Sequence, residues 1–160
     1  MLNSRELSEL VEGARTRAED LIDAAKSVGI ELLVTSTYRD FPAQAACFAR
    51  GRTAPGEACS CKGRINPIGS CKLHPMGLKA TMAKPGHSWH NWRCALDVVP
   101  MVGGKPVWND NLLWNRIGAL GAEVGLEWAG TWDSFPEQAH FQWTNGQTLQ
   151  TLLERFPKGL

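Results

Sequence analysis

Apolar residues first recur at helical spacing and later gather into short runs of strand length, and the two kinds of segment never fall into a regular alternation. From Ser4 to about Lys26 the recurrence is Leu7, Leu10, Val11, Ala14, Ala18, Leu21, Ile22 and Ala25, which predicts a first helix with Ser4 as its N-cap and Gly29 as its stop. Ile30 to Ser36 predicts a strand entering the core. Asp40 caps a second, short helix with Pro42 near its start, running to about Arg50 and ending at Gly51. Cys94 to Pro100, Leu126 to Trp128 and Ala139 to Trp143 are further strands, with a turn and a short hairpin arm at Val102 to Val107. A third helix runs from a cap at Asn109 or Asp110 to about Val124. A last helix follows Gly146, turns Leu149, Leu152 and Leu153 inward and stops at Pro157. Such irregular mixing argues for an α+β fold, a small antiparallel sheet flanked by helices.

Residues 51–86 are rich in Gly, Pro and Cys and hold no period, so they read as one long loop, and loops of that length are functional or separately stabilised. With 160 residues the chain fits a single domain, 1–160, large enough to fold on its own core. A net charge of +1 gives no broad attraction to nucleic acid. No apolar run reaches the roughly 20 residues that span a bilayer, and the start MLNSRELSEL lacks the pattern of a secretory signal, so the expectation is cytosolic synthesis without membrane insertion.

Among four histidines, two stand beside acids. In GHSWHNWRCALDVV, His90 precedes by seven residues Asp97, which opens an apolar strand. In FPEQAHFQW, Glu137 and His140 are three apart. Two imidazoles and one carboxylate make a zinc site with a place left for water, and Glu137, near a ligand without being one, suits a general base. Arg39, at the end of TSTYRD, could stabilise an oxyanion or clamp a carboxylate. Each residue also has a plainer reading: His90 as a hydrogen-bonded loop histidine, Asp97 as a carboxylate held by backbone donors, Glu137 as a turn residue, Arg39 as a surface ion pair.

In order, the motifs SxxR (Ser36 to Arg39), SxHxxxxAxD (Ser88 to Asp97) and ExxHF (Glu137 to Phe141) resemble the zinc D-Ala-D-Ala carboxypeptidase and L-alanyl-D-glutamate endopeptidase family. Gln44, ARGRTAPG and AKPGHSWHNW look like its phage endolysin branch. The resemblance implies a hedgehog/D-Ala-D-Ala-peptidase-like fold, Zn2+ on His90, Asp97 and His140, Glu137 as base, Arg39 as an aid to substrate or transition state, and Ser88 as a supporting or substrate-contacting residue. It implies peptidoglycan as substrate, a monomer, and release from the host cytoplasm to the wall. The family has glycine three residues after the first histidine, where this chain has Arg93; Arg93, Trp92 and Gln44 are further candidate substrate contacts.

Cys59, Cys61, Cys71 and His74 could form a second, structural zinc site, a disulfide from Cys71 to Cys59 or Cys61, or a set of free thiols. Cys47 and Cys94 read as small core residues. Trp89, Trp92, Trp132 and Trp143 lie near the expected site and are mostly core, with one or two left to wall a cleft; His87 falls outside the ligand set. The resemblance implies a zinc peptidase cutting the peptide stem of peptidoglycan, as an L-alanyl-D-glutamate endopeptidase acting as a phage or prophage endolysin. The alternatives are a D-Ala-D-Ala carboxypeptidase and a non-catalytic zinc-containing peptide-binding module.

Overall fold

The computed structural model describes residues 1–160, excepting the side chain of Lys62. Among the described residues, strands β1 (Glu31–Ser36), β2 (Ala95–Val102), β3 (Lys105–Pro106), β4 (Glu127–Trp128) and β5 (His140–Gln142) form one antiparallel sheet. Its order is β1-β2-β5-β4, with β3 paired to β2. Helices α1 (Glu12–Ser27) and α3 (Asn111–Glu123) pack together against it, while α2 (Phe41–Ala49) and α4 (Leu149–Arg155) lie elsewhere in the chain. The expected α+β class is the observed one.

Capping reads as expected where a short acid precedes the helix: Asp40 accepts from the Ala43 N–H and Asp110 from the Leu113 N–H. One expectation is corrected. The stretch from Ser4 to Lys26 is not one helix, because Leu7–Glu9 is a 3-10 turn, Val11 is extended, and α1 begins only at Glu12. Tertiary pairing overrides the apolar period there. Ser4 exchanges backbone hydrogen bonds with Thr37 and Tyr38, and the Val11 N–H donates to the Arg93 carbonyl at 2.9 Å. The N-terminus is therefore a strap running past the end of β1.

Leu21, Leu96, Val98, Trp114, Ile117 and Phe141 are core residues with almost no exposure. Each such side chain contributes about 1.5–3 kcal/mol by leaving water. Strand alternation decides what faces the other way. Phe141 enters the core, so its neighbours His140 and Gln142 turn to the opposite face. Asp97 pairs with His140 on one side and with Ser36 on the other, which sets three polar residues in a row across the sheet. No helix is long and apolar enough to cross a membrane among the described residues.

Candidate metal centre

His90 lies on a 3-10 turn, Trp89–Trp92, rather than in an open loop, and that turn is tied down from several directions. The Arg39 N–H donates to the His90 carbonyl, the Asn91 side-chain amide donates to the Arg39 carbonyl, and the Trp92 indole donates to Gly86. The consequence is a buried imidazole brought against the sheet. His90 Nε2 lies 3.1 Å from Asp97 Oδ1, and His140 Nδ1 lies 3.2 Å from the same oxygen.

Which nitrogen carries each proton follows from the other partners. His90 Nδ1 meets the Thr37 carbonyl, which can only accept, so the proton is on Nδ1 and the neutral ring offers a lone pair at Nε2. Gln142 Nε2 donates to Glu127 Oε2, which turns Gln142 Oε1 toward His140 Nε2; the proton is then on Nε2 and the lone pair at Nδ1. Two lone pairs thus converge on one carboxylate oxygen. Three electron-pair donors at this spacing repel unless a proton or a cation lies among them, and bonds of about 2.0–2.2 Å to a tetrahedral ion put donors roughly 3.3–3.5 Å apart. The residues fit a divalent metal, and Thr37, Gln142 and Glu127 are the partners that orient such ligands.

Charge follows the same geometry. Burial pushes the Asp97 carboxyl up, but the facing imidazoles outweigh it and hold Asp97 well below the usual carboxylate range. Burial works against a charged His140, yet the hydrogen bond and charge of Asp97 raise its pKa. Glu137 is raised, chiefly by burial with Asp97 adding, against the opposing pull of His140, His90 and Arg39. Its backbone is fixed by a bond from its N–H to Ala129 and one from the His140 N–H to its carbonyl.

The cluster opens on a cleft of about 650 Å³ whose walls include Arg39, Met82, His87, Ser88, Trp89, Trp108, Trp132, Phe135 and Glu137. Arg39 reaches it with its guanidinium held by Ser36 Oγ, Gln44 Oε1 and, at 3.9 Å, Asp97 Oδ2. Three residues expected to touch substrate do not line this cleft. Gln44 is fully buried and bonds Arg39 and the Ala83 carbonyl. Trp92 is in the interior, edge-on to Phe41. Arg93 points away, paired with Glu9 and stacked over Tyr38 at 3.9 Å. Its φ is 58°, so Arg93 occupies the left-handed conformation that the expected glycine would adopt freely. Ser88, Trp89, Trp132 and His87 do line the cleft. Sequence reading missed Thr37, Glu127 and Gln142; the last had a signal, since it lies two residues after His140 on the same face of a strand.

Residues 81–143 match the family model described as D-alanyl-D-alanine carboxypeptidase. Over 144 residues the chain is 26% identical to the peptidoglycan L-alanyl-D-glutamate endopeptidase CwlK of Bacillus subtilis (strain 168), covering 84% of this chain and 74% of that one. Among solved structures, the L-Ala D-Glu endopeptidase ChiX of Serratia marcescens is matched with TM-score 0.55 at 17% identity, over 98% of this chain and 92% of that one. A variant of the vancomycin resistance D,D-pentapeptidase VanY in complex with Zn(II) is matched with TM-score 0.60 at 17% identity, over 91% and 78%. The LdcB LD-carboxypeptidase is matched with TM-score 0.59 at 18% identity over 91% of this chain, which spans 64% of that one. At these identities the structural likeness is one of fold. The matched segment carries His90, Asp97, Glu137 and His140 together, and over that segment the chain is similar to the D-alanyl-D-alanine carboxypeptidase family.

Proposed function

We propose that this protein is a zinc peptidase that hydrolyses the peptide stem of bacterial peptidoglycan, as an L-alanyl-D-glutamate endopeptidase. The observation that carries the reading is the convergence of two imidazole lone pairs and one carboxylate oxygen beside a half-buried glutamate in an open cleft. His90, Asp97 and His140 would hold the ion. When bound, zinc supplies Lewis acidity, bringing the pKa of water at the site to about 7. Glu137 takes the proton of the attacking water and returns it to the leaving amine, and its raised pKa suits both halves of that task. Arg39, already oriented by Ser36 and Gln44, donates to the oxyanion or to a substrate carboxylate. Ser88 and the Trp89 and Trp132 rings are the substrate contacts of this reading, with the chain acting as a single domain and a monomer.

The endopeptidase is preferred over a carboxypeptidase because the relative matched over 84% of the chain bears that activity. ARGRTAPG and AKPGHSWHNW extend the proposal to a phage or prophage endolysin that meets the wall after release from the cytoplasm. Digestion of purified peptidoglycan followed by mass analysis tests the bond cut: new N-terminal glutamate is expected, and release of D-alanine alone would replace the endopeptidase by a carboxypeptidase. A binding module would leave the wall intact.

A further inference from the structure

A second cluster of metal-binding side chains lies in the long loop, away from the cleft described above. Cys59, Cys61, Cys71 and His74 bring one donor atom each to a common point, all within 4.8 Å of one another. Cys61 Sγ is 3.2 Å and Cys71 Sγ 3.9 Å from His74 Nδ1. The backbone is arranged to present them in pairs. Asn66 closes the first turn, its N–H donating to the Cys59 carbonyl and its side-chain amide to the carbonyls of Cys59 and Cys61. The His74 N–H donates to the Cys71 carbonyl, closing a Cys-x-x-His turn, and the Leu78 N–H donates to Glu57, joining the two ends of the segment.

Burial in this loop is inverted. Cys59 is 1% and Cys71 9% exposed, whereas Ile65 is 79% and Leu73 77% exposed, and Ile68 and Leu78 also face solvent. A segment whose aliphatic side chains point outward has little apolar burial to hold it, yet its thiols point inward at an imidazole. We propose that Cys59, Cys61, Cys71 and His74 bind a structural zinc ion, in a closed site of three thiolates and one imidazole. Zinc with bonds of about 2.3 Å to sulfur and 2.0–2.1 Å to nitrogen sets donors roughly 3.5–3.8 Å apart, a spacing the two measured distances bracket. A disulfide would use two of the three sulfurs and give the imidazole no part; here His74 is as close to the sulfurs as a fourth ligand must be. The ion fastens the loop whose far end, through Thr81 and Met82, walls the cleft.

Metal analysis of the purified full chain tests this. Wild type should hold about two equivalents of zinc, and the Cys59→Ser/Cys61→Ser and His90→Ala/His140→Ala chains about one each. Unchanged metal content in the cysteine variant, or a thiol titration of denatured wild type that finds fewer than the five cysteines free, would overturn the proposal. Should the serine variant not fold, Co(II) loaded into His90→Ala/His140→Ala, which keeps every thiol, must show thiolate-to-cobalt charge-transfer absorption; its absence is equally fatal. The proposal does not rest on the peptidase reading: a histidine variant that lost no metal would undo that reading and leave the cysteine site standing.

Discussion

Glu137 is where the proposed chemistry is most exposed to test, since it lines the cleft without belonging to the three-donor cluster. Glu137→Gln preserves shape and removes the base, so wall hydrolysis should fall by about 10²–10⁴-fold while zinc content stays at the wild-type value. Equal activity would remove Glu137 from the mechanism. Activity should be lost as falling pH protonates Glu137; burial raises its pKa in the metal-free chain, and the charge of a bound zinc ion works against that rise, so the acid limb of kcat/KM reads the balance of the two. Gln142 acts one step further out, by holding the proton on His140 Nε2. Gln142→Leu frees that nitrogen from its partner and should weaken zinc binding by roughly 10–100-fold, measured by competition with a chelator. Arg93 belongs to stability instead. Its pairing with Glu9 and stacking on Tyr38 are half-exposed interactions, so Arg93→Ala should cost about 1–2 kcal/mol in denaturant unfolding. Arg93→Gly should recover roughly 1 kcal/mol of that, because glycine takes a φ of 58° without penalty.

Two glycines on α3 show how an element positions the cluster from behind. A Cβ on Gly118 would meet the Trp128 ring at 2.1 Å, and one on Gly121 would meet the Phe141 ring at 2.5 Å. The helix therefore lies directly on β4 and β5, and Phe141 is the residue between His140 and Gln142. Gly118→Ala gains up to about 1 kcal/mol of helix propensity and loses about 1–3 kcal/mol to overpacking, so melting should drop by a few degrees. A melting temperature that did not move would mean that α3 can ride outward without cost. This closeness was not legible in the sequence, where Gly118 and Gly121 read only as weak helix positions. What was legible depends on local chemistry: Asp40 and Asp110 cap their helices, Gly29 ends α1, and the apolar runs became β1, β2 and β5. Local period failed at Val11, whose N–H donates to Arg93, far along the chain. The three-donor cluster was readable because His90, Asp97 and His140 stand in the SxHxxxxAxD and ExxHF motifs; the orienting shell of Thr37, Glu127 and Gln142 was hidden because only strand pairing brings Glu127 to Gln142.

At the scale of the molecule, an ion held only by the folded chain must raise its stability by mass action. With free zinc at one hundred times the dissociation constant the gain is about 2.7 kcal/mol, which for a domain of this length is roughly 5–11 °C in melting temperature. The pH dependence has a definite sign. In the metal-free chain His140 has a raised pKa, so its contribution is present below the unfolded value near 6.5 and is lost as pH rises through the folded one. Asp97 has a depressed pKa, so its contribution is present above the unfolded value near 3.8 and is lost only in stronger acid. Between those limits, acidification protonates the His140 lone pair that zinc needs, strengthening the metal-free form and weakening the loaded one. The zinc-dependent rise in melting temperature should therefore be largest on the alkaline side of the His140 titration and shrink as pH falls through it. Calorimetry with and without chelator across that range reads it directly, and His140→Ala measured alongside accounts for any ion held by the cysteine loop. A zinc effect that grew on acidification would mean that the stabilising ion is not bound through these imidazoles.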